Sequence, residues 1–197
     1  MRAQPENLRR TILDASLGLI ASDGLEGFSM REVARRAGVS HQAPYHHFPD
    51  RESIMAAIVA EGFQRLRDDS LAALDGLSDP YARLSATGRA YIRFALDNPA
   101  HFTLMFRSEH VREEKHDEAA ACAQGAFDVL VQIADEVAAH STHDAQTIIL
   151  TAWSTVHGVA TLLLEGKLDK ALEDESARNA AADHVIASLE KMLRASA

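Results

Sequence analysis

Apolar residues recur every three or four positions through the first forty residues, which is the period of amphipathic helices. The first run predicts a helix from about residue 8 to the stretch "SDG", where glycine closes it. Ser29, followed three positions later by Glu32, is a capping box, so a second helix is predicted over about 30–37. Gly38 then closes that helix in the left-handed conformation.

The next stretch, "SHQAPYHHFPDRES", carries two prolines among short polar runs. Ser40 is a helix-capping residue type, so a third, short helix is predicted over 40–47, ended by Pro49. Asp50 then caps a fourth helix that continues towards Leu74.

The character of the chain changes at "DGLSDP", whose glycine and proline mark a linker. Helical periodicity after it predicts five more helices: about 80–96, a short helix from Pro99, a long helix through Phe127 to Val137, 145–167 and 177–194. Alternating β-branched runs are nearly absent, so we expect an all-α chain.

Composition indicates where the protein is located, and charge is distributed unevenly along the chain. The single cysteine, Cys122, excludes an internal disulfide, and we find neither a signal peptide nor an uninterrupted membrane-spanning run, so a cytoplasmic protein is expected. The formal net charge is −9. Residues 1–51 carry seven arginines against six acidic residues, whereas the remainder carries 13 basic against 23 acidic residues. The N-terminal part can therefore approach a phosphate backbone.

Two helices joined by "AGVS" have the form of a helix-turn-helix, whose second helix enters the major groove of DNA. At the start of that helix, His41, Gln42 and Ala43 are placed to read bases, since glutamine pairs with adenine and alanine contacts the thymine methyl. The residues placed for phosphate contact are Arg31, Ser40, Tyr45, His46 and Arg51. The alternative is an ordinary corner between helices of a bundle.

The stretch "FSMREVARRAGVSHQAPYHHFPDRESIMAAIV" resembles the DNA-binding domain of the TetR family of transcriptional regulators, and the resemblance covers about residues 8–60. It implies an all-helical homodimer that represses transcription from a palindromic DNA operator and releases it on binding a small molecule. It also implies that 40–47 is the recognition helix. The sequence departs from the usual pattern at Pro44, where most members carry Leu or Ile, and at Arg51, where Lys is common.

We therefore predict an all-α protein with an N-terminal three-helix helix-turn-helix domain over 1–55 and a C-terminal helical effector-binding and dimerisation domain over 56–197. Within the second domain, "WSTVHG" resembles the Trp-His-Gly signature of one C-terminal domain type in this family. Trp153 and His157 share a helix face, and Gly158 is expected to let another helix come close. The candidate effector-pocket residues are Tyr91, Phe94, Phe102, Met105, Phe106, Cys122, Phe127, Trp153 and His157. Core packing is the alternative for each of them.

The last two predicted helices are expected to pair with their copies as a four-helix bundle. The apolar residues assigned to that contact are Ile148, Val156, Val159, Leu162, Leu163, Val185, Ile186, Leu189 and Leu193. Such a dimer presents two recognition helices about 34–36 Å apart, one turn of B-DNA.

Other functions remain open at this level: an adaptor that has lost DNA binding, or a small helical enzyme around Trp153 and His157. The sequence contains no G-x-S-x-G, P-loop or H-E-x-x-H motif, so we predict no enzyme activity and no cofactor. A metal at His140, His143 and Asp144, and a redox role for Cys122, are both weak candidates.

Overall fold

A computed structural model describes residues 5–107, 111–112, 115–168, 172 and 174–196, and regular structure throughout these ranges is helical. The chain is therefore all-α, as predicted. The helices are α1 (Pro5–Asp23), α2 (Met30–Arg36), α3 (Arg51–Ala72), α4 (Pro80–Asp97), α5 (Pro99–Met105), α6 (Asp117–Ala138), α7 (Ala145–Leu164) and α8 (Glu175–Arg194). A single turn of 3₁₀ helix, Pro44–His46, lies between α2 and α3.

Polar side chains start five of the helices, at Ser29 and Asp50 as predicted and at Asp79, Asp144 and Asp174, which were not predicted as caps. In each case the side-chain oxygen of the preceding residue accepts a hydrogen bond from the backbone N–H three residues on, which satisfies one otherwise unpaired donor. The capping residues and N–H···O distances are Ser29 (3.2 Å), Asp50 (2.8 Å), Asp79 (2.9 Å), Asp144 (2.7 Å) and Asp174 (2.7 Å). The starts of these helices are therefore determined by residues next to each boundary.

The turn after α2 is a Schellman motif, in which two backbone bonds close the helix. Gly38 has φ of +67°, and its N–H donates to the Arg35 carbonyl at 3.2 Å. The N–H of Val39 donates to the Ala34 carbonyl at 3.1 Å. This confirms the predicted role of Gly38 and fixes the direction in which the chain enters the next segment.

By packing, the chain divides into two compact units, and helix α6 is divided between them at 123/124. The first unit comprises residues up to Phe63 together with Pro99–Ala123, and the second comprises Gln64–Asn98 and the residues from Gln124 onward. Helix α3 contributes residues to both units. The predicted functional boundary at 55/56 differs from this packing division and stays a prediction.

The first unit has a core in which α1 packs on α2 and on α5. Its largest fully buried side chains come from α1, α2, α3 and α5: Ile12, Leu19, Val33, Ile54, Met55, Ile58, Val59 and Leu104. Phe28 and Phe48, which stand in the connections on either side of the helix-turn-helix, are also buried. These aromatic anchors hold the connections against the helices.

The second unit is built around α4, which packs on both α7 and α8. A Cβ added to Gly88 of α4 would lie 3.3 Å from Val156 Cγ1, so this glycine permits the close approach of α4 and α7. Among the described residues no atom lies within 4 Å of a Cβ built on Gly158, so Gly158 does not play the expected part between two helices of this part of the chain.

Most of the residues predicted to face a partner subunit lie in the second unit's own core. Six of them are buried there: Ile148, Val156, Leu163, Ile186, Leu189 and Leu193. The prediction was wrong for these six because periodicity identifies an apolar face without saying which helix covers it. The apolar side chains of α7 and α8 that remain exposed are Leu150, Trp153, Leu162, Val185 and Met192.

Helix α7 is long and apolar enough to cross a membrane by length and composition, with a mean hydropathy of 1.6 over its best window. Its apolar stripe, however, is used inside the second unit. The buried positions are Ile148, Ala152, Val156, Ala160 and Leu163, which repeat at helical spacing. The core of this helical unit therefore accounts for that stripe.

Candidate nucleic-acid interface

Residues 40–47 follow the turn at Gly38 and do not form the regular α-helix that the sequence analysis predicted. Most of their backbone bonds join residues three apart, including Ala43 N–H to Ser40 O (2.9 Å) and His46 N–H to Ala43 O (3.3 Å). The physical reason is Pro44, which has no N–H to donate to the Ser40 carbonyl in α-helical fashion. We call residues 40–47 the recognition segment.

The recognition segment has exposed polar side chains and a buried residue, Pro44, at its middle. His41, Gln42, Tyr45 and His46 are exposed, Ala43 is half-buried, and Pro44 is buried. The rings of His41 and Tyr45 lie 5.8 Å apart between centroids, in a tilted arrangement. The structure thus brings the predicted base-reading and phosphate-contacting residues of this segment together on its surface.

Ser40 differs from its predicted capping role. Its carbonyl accepts from Ala43, but within the part of the chain that the structure describes its hydroxyl makes no hydrogen bond. The side chain is exposed. The hydroxyl is therefore available to a phosphate oxygen, the other role predicted for it.

Ion pairs on α2 decide which of its arginines are available. Arg35 and Arg36 both bind Glu32, at 2.5 and 3.5 Å, and Arg36 also binds Asp23 at 3.0 Å. Hydrogen bonding from Arg35 lowers the pKa of Glu32 to about 2. The Glu32 carboxylate is thus held by arginines, which differs from the reciprocal contact with Ser29 that a complete capping box requires.

Arg31 and Arg51 flank the recognition segment and are both exposed. Neither forms an ion pair with any side chain in the described ranges, in contrast to Arg35 and Arg36. A guanidinium that is not paired with a carboxylate of the same protein is available to bind a phosphate or a guanine edge. The contact of Arg31 and Arg51 with DNA stays a prediction, with which their exposure is compatible.

The start of α3 is held in place from two sides. Asp50 accepts from the Ser53 N–H at 2.8 Å and from its hydroxyl at 2.7 Å, and these bonds lower the pKa of Asp50. Glu52 binds the Arg112 guanidinium at 3.1 Å and lies 3.5 Å from His116 Nε2. Hydrogen bonding from Arg112 lowers the pKa of Glu52 to about 2. Arg51 therefore projects from an anchored first turn.

A cleft of about 280 Å³ lies in the first unit beside this anchored turn, and no sequence pattern predicted it. It is lined by Arg9, His47, Phe48, Ser53, Ala56, Ala57, His116, Asp117, Glu118 and Ala119. The Arg9 guanidinium stands 5.4 Å above the Phe48 ring, a cation–π contact. His47 is half-buried in this lining.

The nine candidate effector-pocket residues divide between the two units. Phe102, Met105, Phe106 and Cys122 belong to the first unit, and the other five belong to the second. Phe102 and Met105 are buried, and the Phe102 and Phe106 rings lie 5.1 Å apart. These aromatic contacts describe core packing in the first unit. The assignment of all nine residues to one pocket stays a prediction.

Polar and aromatic groups meet in the second unit. The Tyr91 hydroxyl and His157 Nδ1 lie 2.8 Å apart, and the Phe127 and Trp153 rings lie 5.8 Å apart. Burial lowers the pKa of His157, and burial raises the pKa of Tyr91. Both groups are therefore neutral near neutral pH. Phe94 is only 1% exposed and is a core residue.

No group of three or more His, Cys, Asp or Glu side chains arranged to hold a metal ion occurs among the described residues. His140 and His143 border the loop before α7, and there Asp144 serves as the cap of α7. The chemistry of this region is therefore accounted for by helix capping.

Comparison with protein families gives two matches. Residues 12–58 match the family described as "Bacterial regulatory proteins, tetR family". Residues 84–194 match the family described as "Tetracyclin repressor-like, C-terminal domain". The first match contains the whole helix-turn-helix, and the second covers more than half of the chain.

Curated relatives are regulators. The chain is 36% identical over 110 residues to the HTH-type transcriptional regulator BetI of Rhizobium meliloti (strain 1021), an alignment spanning 54% of each chain. It is 36% identical over 78 residues to the HTH-type transcriptional repressor KstR of Mycolicibacterium smegmatis (strain ATCC 700084 / mc(2)155), spanning 39% of this chain and 38% of that one. The chain thus aligns with about half or less of these two relatives' length.

Solved structures share the fold over nearly the whole chain. A protein with unknown function from Rhodococcus sp. RHA1 is 32% identical, with a TM-score of 0.77 and 98% of both chains covered. The TetR family transcriptional regulator PfmR from Thermus thermophilus is 19% identical, with a TM-score of 0.75, covering 91% of this chain and 97% of that one. At 19% identity the second likeness concerns the fold alone.

Proposed function

The chain belongs to the TetR family of DNA-binding transcriptional regulators, which are not enzymes, and we propose that it is a homodimeric repressor released from its operator by a small molecule. The observation that carries the proposal is the recognition segment. Its exposed residues His41, Gln42, Tyr45 and His46 stand between two arginines, Arg31 and Arg51, that the fold leaves available for DNA.

In this proposal the two groups of residues have different tasks. Arg31, Ser40, Tyr45 and Arg51 hold the protein on the phosphate backbone, which gives affinity without sequence preference. His41, Gln42 and Ala43 read base edges and the thymine methyl in the major groove.

Dimerisation is proposed through α7 and α8, which carry the exposed apolar side chains described above. On α8, Ala181, Val185, Ser188 and Met192 follow one another at spacings of four, three and four, the repeat of a helix-packing seam. On α7, Ser154, Gly158 and Leu162 continue at spacings of four. Small residues on this face favour close packing of helices from two subunits.

A dimer of this kind explains how binding becomes specific. Two recognition segments about 34–36 Å apart match successive major grooves on one side of B-DNA, so the operator is palindromic. An effector lowers DNA affinity only if it binds better to a state in which that separation is lost. The protein acts in the cytoplasm, where the operator is.

The proposed effector site is the second-unit cluster of Tyr91, Trp153 and His157. Neutral Tyr and His side chains beside exposed rings suit an uncharged organic molecule with one hydrogen-bonding group. A charged effector would lose hydration at this partly buried cluster without gaining an opposite charge from Tyr91, Trp153 or His157, so an uncharged effector is favoured.

The test of the proposed function is binding of the purified protein to labelled DNA from the region next to its own gene, measured by mobility shift at low salt. A Gln42→Ala variant is expected to lose preference for that DNA while keeping the wild-type oligomeric state. A folded dimer that gives no shift with this DNA would contradict the repressor proposal. If Gln42→Ala dissociates the dimer instead, the placement of the recognition segment is wrong.

A further inference from the structure

We propose that Pro44 is a positioning residue for DNA recognition: by imposing hydrogen bonds between residues three apart around the 3₁₀ turn Pro44–His46, it decides which side chains read the same base pairs. The inference rests on the proposed function, because it takes the recognition segment as the part that enters the major groove. It goes beyond that function by assigning the operator preference to a backbone property of one buried residue.

The first step is the missing donor. In an α-helix the Ser40 carbonyl would accept from the N–H of residue 44, but proline has none. The carbonyl accepts instead from the Ala43 N–H at 2.9 Å. The next bonds keep this spacing, with Tyr45 N–H to Gln42 O at 3.2 Å and His46 N–H to Ala43 O at 3.3 Å.

The regular α-helical spacing returns only where Pro44 acts as acceptor. The Pro44 carbonyl receives the Phe48 N–H at 2.9 Å as well as the His47 N–H at 3.0 Å. Both bonds use the oxygen of Pro44, which proline retains. The hydrogen-bond spacing therefore changes from three residues to four at Pro44, the residue that has no N–H.

The second step is the rotation of the side chains. A 3₁₀ helix turns about 120° per residue and rises about 2.0 Å, whereas an α-helix turns about 100° and rises about 1.5 Å. Residues three apart therefore line up. Gln42 stands in line with Tyr45, and Ala43 with His46, while Pro44 and His47 share the third line.

Burial of residues 42–47 agrees with these three lines, whereas His41, just before them, is exposed and its ring lies 5.8 Å from that of Tyr45. Gln42 and Tyr45 are exposed, as is His46, and Ala43 is half-buried. On the third line, Pro44 is buried and His47 is half-buried, so this line faces the rest of the first unit. In an α-helical segment Gln42 and His46 would instead lie about 40° apart and share a face.

The third step is the consequence for recognition. With the observed winding, Gln42 and Tyr45 are proposed to contact the same part of the major groove, and His46 a different part. Substitution of Pro44 by alanine supplies the missing N–H and a strong helix former, which favours α-helical winding. The set of side chains reaching each base pair then changes, although none of those side chains has been altered.

The experiment compares wild type with Pro44→Ala by selection from a duplex library with a randomised central region, followed by sequencing. The two proteins are expected to enrich different half-sites, with each preferring its own duplex by about tenfold in direct competition, the scale of one base contact. In the Pro44→Ala variant, hydrogen exchange at the new backbone amide is expected to be slow, since this N–H then binds the Ser40 carbonyl. Pro80→Ala is the matched control, because Pro80 occupies the first turn of α4, where no donor is required.

The outcomes separate the inference from the proposed function. If wild type enriches no sequence, the proposed function fails. If both proteins enrich the same half-site, or if Pro44→Ala weakens binding to all duplexes equally, the inference is overturned while the proposed function stands.

A second measurement covers the case in which Pro44→Ala does not fold. In NMR spectra of the wild-type protein bound to its enriched duplex, 3₁₀ winding is expected to give a contact from Gln42 Hα to the Tyr45 N–H and none to the His46 N–H. A contact from Gln42 Hα to the His46 N–H would indicate an α-helical segment on DNA and would overturn the proposal.

Discussion

An arginine without an internal carboxylate partner is more available for DNA binding than one that must first leave an ion pair. On α2, Glu32 and Asp23 occupy Arg35 and Arg36, while Arg31 one turn earlier has no such neighbour in the described ranges. The sequence alone shows several arginines in this region. Only the geometry of the ion pairs separates Arg35 and Arg36, which are held by carboxylates, from Arg31, which we propose contacts phosphate.

This sorting predicts unequal effects of two substitutions. Arg31→Ala is expected to weaken binding to every duplex alike and to reduce the salt dependence of the binding constant by about one unit of slope, as for one lost phosphate contact. Arg35→Ala, the matched control, is expected to change the slope much less. Fluorescence anisotropy titrations at several salt concentrations measure both slopes, and equal losses for the two variants would contradict the sorting.

At the same scale, the Glu52 carboxylate at the start of α3 makes the stability of the fold depend on pH. Its pKa is lowered from 4.5 to about 2, first by the hydrogen bond from Arg112. A carboxylate with a depressed folded-state pKa stabilises the fold above its ordinary pKa, and this stabilisation is lost as the pH falls through about 2. Glu52→Gln is therefore expected to be slightly less stable than wild type near neutral pH.

The difference in stability between wild type and Glu52→Gln is expected to shrink between about pH 4.5 and pH 2, as measured by urea unfolding at each pH. Other carboxylates titrate in both proteins and cancel in the comparison. Glu165→Gln, just beyond the end of α7, is the control for the loss of one surface carboxylate, and a smaller change is expected for it. A difference for Glu52→Gln that grows towards pH 2 would contradict the assigned pair.

At the scale of elements, the signals that predict structure correctly are those that act within a few residues. Ser29, Gly38 and Asp50 start or end helices through bonds to their immediate neighbours, and residue type and spacing identify each of them. The recognition segment is predicted in place but not in winding, because the loss of one donor at Pro44 competes with helix propensity over a short stretch. Residue types near a helix end thus predict its boundary better than they predict the hydrogen-bond pattern inside a short segment.

The turn at Gly38 provides a stability test for this scale. Gly38→Ala is expected to cost about 1–2 kcal/mol, because its φ of +67° is unfavourable for a residue with a Cβ, although no atom of the described residues lies within 4 Å of that Cβ. Gly125→Ala, inside α6 with its nearest contact at 3.5 Å, is expected to stabilise by up to about 1 kcal/mol. Urea unfolding measures both, and effects of the same sign would contradict the backbone argument.

At the scale of the whole molecule, apolar periodicity cannot tell a partner helix in the same chain from one in another subunit. Six residues predicted for the subunit contact belong to the core of the second unit, whereas exposed Leu150 and Met192 were not chosen. The effector residues show the same limit, since nine positions, most of them aromatic, divide between two cores. Such assignments need the packing of the folded chain.

Exposed residues of α8 give the corresponding prediction for assembly. Val185→Glu is expected to place a charge in the proposed subunit contact and to shift the protein towards monomer by at least about tenfold in dissociation constant. Leu71→Glu, at an exposed apolar position of α3, is the matched control and is expected to leave the association unchanged. Sedimentation equilibrium measures both, and an unchanged dimer in Val185→Glu would place the contact elsewhere.

The most direct test of the central claim is the affinity of the wild-type protein and of Gln42→Ala for a wild-type-selected duplex and for an unrelated duplex, measured at one salt concentration. We expect wild type to prefer the selected duplex by a factor of about 10³ or more, and Gln42→Ala to lose about tenfold or more of that preference with unchanged binding to the unrelated duplex. Equal wild-type affinity for both duplexes, or a Gln42→Ala variant with undiminished preference, would contradict the assignment of residues 40–47 as the part of this regulator that reads DNA.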